Sequence, residues 1–135
     1  MALNPKSSIA SCNLALNAEL DQLNSGFLDI YDSTGTGQPA SPDTAVTTQV
    51  KLARLTFGAT AFAAASAGSK TANAIGGTTG ITNGTATWYR CVTSGGTATH
   101  DGSVGTATSN CVLNATAIVT GAAVTVSSMV YTKAQ

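Results

Sequence analysis

Charge is what this sequence has least of. Only 9% of its 135 residues are charged, six basic against six acidic, for a formal net charge of zero. An ordinary globular domain is about one quarter charged. Nucleic acid and anionic membrane surfaces are recognised by clustered Lys and Arg. Here Lys6, Lys51, Arg54, Lys70, Arg90 and Lys133 are scattered, so no nucleic-acid partner is expected. Long apolar runs are missing too. The most apolar stretch, residues 57–67, is mostly Ala with Thr and Ser, and a spanning helix needs about 20 apolar residues. No membrane partner is expected. The opening MALNPKSSIAS has no basic region followed by an apolar run, so it does not read as a signal peptide.

Cysteine is sparse and odd in number. Cys12, Cys91 and Cys111 have no CxxC spacing, which argues against a zinc site or a secreted disulfide framework. A single Cys91–Cys111 bridge stays open beside the plainer reading of reduced thiols. Asp29, Asp32 and Asp43 are too dispersed for a calcium loop. IGGTTGITNG, residues 75–84, lacks the Lys and the strand-to-helix context of a phosphate loop. Neither a metal nor a cofactor is expected.

What the chain does have is Ala, Thr and Gly, small or β-branched side chains suited to strands and turns. The length fits one domain, residues 11–135, preceded by an N-terminal arm, residues 1–10. SCNLALNAELDQLNSG, residues 11–26, is the one convincing helix, with Leu14, Ala18 and the Leu20/Leu23 pair near helical spacing. Beyond it the pattern turns to β. FLDIYD (residues 27–32), VKLARLTF (50–57), TATWYRCV (85–92), a short strand reaching ATHDGSVG, NCVLNATAIV (110–119) and AVTVSSMVYT (123–132) are predicted strands. The alternation slips between Leu52 and Leu55, the mark of a bulge or bend. Residues 58–68 fit either a short helix or an extended connection. Several short strands with Gly-containing turns predict a mostly β, jelly-roll-like sandwich or barrel with a short N-terminal helix.

The sole histidine raises the question of catalysis. His100 precedes Asp101-Gly102, a dipeptide favoured in type I′ hairpin turns. His100, Asp101 and Gly102 are therefore expected at an exposed hairpin tip. A general base needs a nucleophile in reach and a third group to orient it, and nothing in the sequence places either. No enzymatic activity is expected. Trp88 and Tyr89 could form an aromatic sugar platform, but in an alternating strand a Trp is more often core.

Four stretches carry a resemblance as an ordered set: GFLDIYDSTGTGQPASPDTAVTTQ, KLARLTFGATAFAAASAGSKTANAI, ATWYRCVTSGG and HDGSVG. Over about residues 13–132 the chain resembles the cement, or decoration, proteins on the outside of tailed-bacteriophage heads. The resemblance implies a jelly-roll-like β fold without enzymatic activity. It also implies a homodimer or other small homo-oligomer, made in the host cytoplasm, that bridges neighbouring subunits of the major capsid protein on the virion exterior. Leu3, Pro5 and Ile9 of the arm are the capsid-contact candidates, with a disordered terminus as the bland counterpart. The alternative is a tail-associated or receptor-binding domain contacting a host glycan through Tyr31, Tyr89 or Tyr131.

Overall fold

The computed structural model describes residues 5–33 and 37–133. Strands take 43% and helices 12% of it, a mostly β fold of sandwich or barrel type with one short N-terminal helix.

Helix α1 spans Ile9–Leu20 and runs into a single 3-10 turn, Asp21–Leu23. Ser8 caps it, its hydroxyl accepting from the Ser11 backbone N–H at 3.1 Å and satisfying a donor with no helical partner. The helix therefore starts two residues before the predicted boundary, and Ile9 belongs to it rather than to an arm. Cys12, Leu16, Leu20 and Leu23 are fully buried. That four-residue spacing fixes the inner face. Leu14, expected inside, stands two residues from Leu16, about 200° around the axis. It is 71% exposed.

The strands are β1 (Phe27–Asp32), β2 (Val50–Thr56), β3 (Ser69–Thr71), β4 (Thr78–Thr79), β5 (Gly84–Val92), β6 (Ala98–Gly105), β7 (Cys111–Leu113), β8 (Ala117–Ile118), β9 (Ala123–Val124) and β10 (Val126–Thr132). The main sheet has the order β2-β1-β5-β6-β7-β10-β3, with β8 on an outlying part of β5 and β4–β9 as a separate ribbon. Only β6–β7 is parallel among these pairs. The bulge expected in β2 is present: pairing with β1 steps from Ile30↔Ala53 to Tyr31↔Lys51 and leaves Leu52 without a partner residue, which keeps Leu52 and Ala53 both buried.

The two C-terminal strands are each broken in two, for one reason. Asn114 binds Thr125 in both directions, its backbone N–H to the Thr125 carbonyl and its Oδ1 from the Thr125 N–H, both at 3.0 Å. Both ladders stop at that clasp. A second irregularity between Val126 and Ser128 puts Met129, not Val130, in the core.

Residues 58–68 are extended, not helical. Besides backbone bonds such as Ala63 N–H to the Thr71 carbonyl, three asparagine side chains hold them: Asn24 Oδ1 accepts from Ala61 N–H, Asn17 Oδ1 from Ala65 N–H and Asn13 Oδ1 from Gly68 N–H, at 2.8, 3.0 and 2.9 Å. One continuous core joins α1 to the inner face of β1, β2, β5, β6, β7 and β10. That leaves the opposite face of β2-β1-β5-β6 for other uses.

Candidate functional site

Side chains alternate across a strand, so His100 and Asp101, consecutive in β6, point to opposite faces. They are not a pair and they are not at a turn. The β5–β6 hairpin turns earlier, at Thr93–Thr97, where Gly96 takes φ +95° and donates to the Thr93 carbonyl. Asp101-Gly102 sits inside the ladder because Tyr89 lies across from Gly102, its ring covering the place a side chain would fill. A Cβ there would fall within 2.5 Å of Tyr89 ring carbons. Room for an aromatic ring, not turn geometry, is what glycine supplies here.

His100 is 4% exposed and faces the core. Its ring stands edge-on to Tyr89 at 5.6 Å and packs on Tyr131 at 4.4 Å, with Thr99 Oγ1 3.4 Å from Nδ1. Burial lowers its pKa to about 4 against the smaller opposing pull of Asp101. The imidazole is therefore neutral over the ordinary pH range. Its Nε2 and the Tyr89 hydroxyl are buried without a hydrogen-bond partner. Cys12, Cys91 and Cys111 are buried and none is in a disulfide, so the possible Cys91–Cys111 bridge is not formed. Burial pushes Cys111 up to about 12 and Cys91 well above its ordinary value, which keeps both protonated and poorly nucleophilic.

Asp101 faces the other way, into a line of charge across four strands. Register places Arg54 of β2 opposite Asp29 of β1, Asp29 opposite Arg90 of β5, and Arg90 opposite Asp101 of β6. The order is cation, anion, cation, anion. Arg54 holds Asp29 in a two-pronged bond, Nε to Oδ1 at 2.6 Å and Nη2 to Oδ2 at 2.8 Å. Arg90 holds Asp101 the same way, at 2.7 and 2.9 Å. Arg90 also donates to the carbonyls of Thr44 (2.7 Å) and Ser41 (3.2 Å), tying the loop between β1 and β2 onto the sheet. Side-chain hydrogen bonding to its Asp raises the pKa of each arginine. Lys51 adds a second cation to Asp29, at 3.1 Å.

Between this row, the 42–46 loop and the β5–β6 turn lies an open cavity of about 480 Å³. Asp29, Lys51, Arg54 and Arg90 supply its charged floor, and Pro42, Val46, Val92 and Ala98 its apolar sides. Tyr31 also lines it. That ring is 4% exposed and stacked on Trp88, with centroids 4.4 Å apart. Trp88 and Tyr89 lie on opposite faces and both are buried, so they form no sugar platform, and Trp88 is core as its alternating strand led one to expect.

Of the remaining sequence-stated candidates, Pro5 is exposed, Ile9 is 41% exposed at the start of α1, and Leu3 lies outside the described residues. Among the described residues no cluster of His, Cys, Asp or Glu could hold a metal ion, and no helix is long and apolar enough to cross a membrane. Sequence reasoning missed the charge row. Its trace was there: Asp29, Arg54 and Arg90 each stand nearly alone among apolar strand residues, in a chain with few charges to spend on a core.

Comparison with known proteins adds no name to this geometry: no family model, no curated protein and no solved structure matches the chain.

Proposed function

We propose that the chain is a non-enzymatic structural protein of a phage particle, which attaches to the outside of the head and clamps neighbouring major capsid subunits as a small homo-oligomer. The observation that carries this reading is where the reactive groups go. The one imidazole is inside the core, the thiols are buried, and four charges are spent on one another in the row on β2-β1-β5-β6. The exterior is left to Thr, Ser and Ala with isolated aliphatics, Leu14 at 71% and Ile81 and Val119 at 54% exposure. Such a surface has little charge repulsion to hold copies and partners apart, and suits coverage by other protein. The resemblance to head cement proteins points the same way. Tyr31 and Tyr89 are buried, and Tyr131, half-buried, packs on the His100 ring, so the three tyrosines offer a glycan little open ring face.

The test is co-sedimentation of the purified chain with phage heads that lack it, followed by the temperature at which the heads release DNA. Saturable attachment with a higher release temperature is the expected result. Attachment to tails or host cells and none to heads would overturn the reading.

A further inference from the structure

The cavity over the charge row has a local imbalance that its own residues do not cancel. Arg90 makes four hydrogen bonds, two to Asp101 and two to carbonyls. Asp29, by contrast, is a single carboxylate, 2% exposed, shared by two cations. Arg54 spends Nε and Nη2 on it and keeps Nη1 free of any bond to Asp29. Lys51 has three N–H donors and one short contact with Asp29. Both cations reach the cavity mouth, their side chains 40% and 35% exposed. The remaining carboxylate in the lining is Asp43, which accepts from Ser41 Oγ at 3.3 Å and lies beyond ion-pair distance of either cation.

From this we propose that the cavity is a socket for an acidic side chain, Asp or Glu, of a partner protein. The incoming carboxylate completes a square of two cations and two anions on Arg54, Lys51 and Asp29. Its methylene stem lies against Val46, Val92 and Ala98. The arginine is already pinned by its bidentate bond and by the Phe27 ring below it, 4.4 Å from the guanidinium carbon, so little side-chain freedom is lost on binding. An acidic sugar is the less favoured occupant, because the Tyr31 ring in the lining is 4% exposed and already stacked on Trp88. Assigning the carboxylate to a capsid subunit rests on the function proposed above. The socket itself does not.

Two measurements separate the two claims. The first titrates N-acetyl-glutamate amide into the full chain by NMR, with N-acetyl-glutamine amide and sialic acid as comparisons. The second measures attachment to heads for Lys51→Met, Asp43→Asn and, as a control, Lys133→Met. Lys51→Met leaves Asp29 paired with Arg54, so the fold is retained and a thermal melt verifies it. The glutamate probe should shift the amides of residues 51, 54 and 96–98, and the glutamine probe should not. Lys51→Met should weaken attachment about tenfold, the scale of one charge-assisted bond. Asp43→Asn should strengthen it, a gain that misfolding cannot mimic. Unchanged attachment for both variants together with silent amides overturns the socket and leaves the head reading standing. Shifts with the probe but no attachment of the wild type to heads uphold the socket and overturn the head reading. Sialic acid shifting the same amides more strongly than the glutamate probe overturns the protein occupant.

Discussion

At the scale of single residues, one position shows how local chemistry and fold can disagree. Asp-Gly is a strong turn signal, and the backbone freedom that makes it one is real. In this chain the dipeptide is outbid by long-range packing: Gly102 makes room for Tyr89, and Asp101 anchors Arg90. Gly102→Ala should therefore destabilise the fold by about 1–3 kcal/mol through overpacking. Chemical denaturation checks it, and Tyr89→Leu in the same chain should recover part of the loss. A residue at an exposed tip would show neither effect. The neighbouring His100 predicts a pH dependence. Its pKa is about 4 in the fold against 6.5 for the ordinary imidazole, so between those values the unfolded chain binds more protons. Stability then falls as the pH drops through that window, by up to about 3 kcal/mol. The slope fades through pH 6.5 and is gone about one unit above it. Replacing it, as in His100→Leu, should flatten the curve between pH 6.5 and 4, measured by urea unfolding across that range.

At the scale of elements, β1, β2 and β5 were legible because each is a short run rich in β-branched, aromatic or aliphatic residues bounded by turn-forming segments. The Ala-rich 58–68 segment was not, since it forms no regular ladder and three of its N–H groups go to asparagine side chains far away in sequence. No local pattern announces that. Asn13 and Asn17 are one helical turn apart and serve the same segment. Replacing both by Ala should cost about 2 kcal/mol, since each leaves an amide N–H without its acceptor. Hydrogen exchange at Ala65 and Gly68 should rise ahead of exchange in β5. The helix start gives a second check. Removing residues 1–7 spares the Ser8 cap, whereas removing residues 1–9 takes the cap and Ile9 together. The longer deletion should lower stability by about 1 kcal/mol or more, and the shorter one should leave the melting temperature in place. Any loss of attachment in the shorter deletion then belongs to the arm, Pro5 included, and not to unfolding.

At the scale of the whole molecule, the fold class followed from composition and periodicity, while the sheet order did not. That order depends on which strands meet, and the four-strand charge row exists only once β2, β1, β5 and β6 lie side by side. Each charge was visible alone; its partner was not. The consequence reaches attachment. At least seven of the twelve charged side chains are in internal ion pairs, so few remain to meet a counter-charge on another surface. Screening by salt acts mainly on exposed charges separated by more than about 8–10 Å, and little on pairs closed off from water. Attachment to heads should then be nearly independent of ionic strength, apart from the single contact at Lys51 and Arg54. The measurement is co-sedimentation of wild type and Lys51→Met at low and high salt. The wild type should weaken by a few-fold at most, and Lys51→Met should show a shallower slope still. A steep loss in both would mean that scattered charges such as Lys6 and Lys133 dominate the contact. Cohesion would then come from long-range attraction, not from the uncharged Thr, Ser and Ala residues that make up most of the exterior.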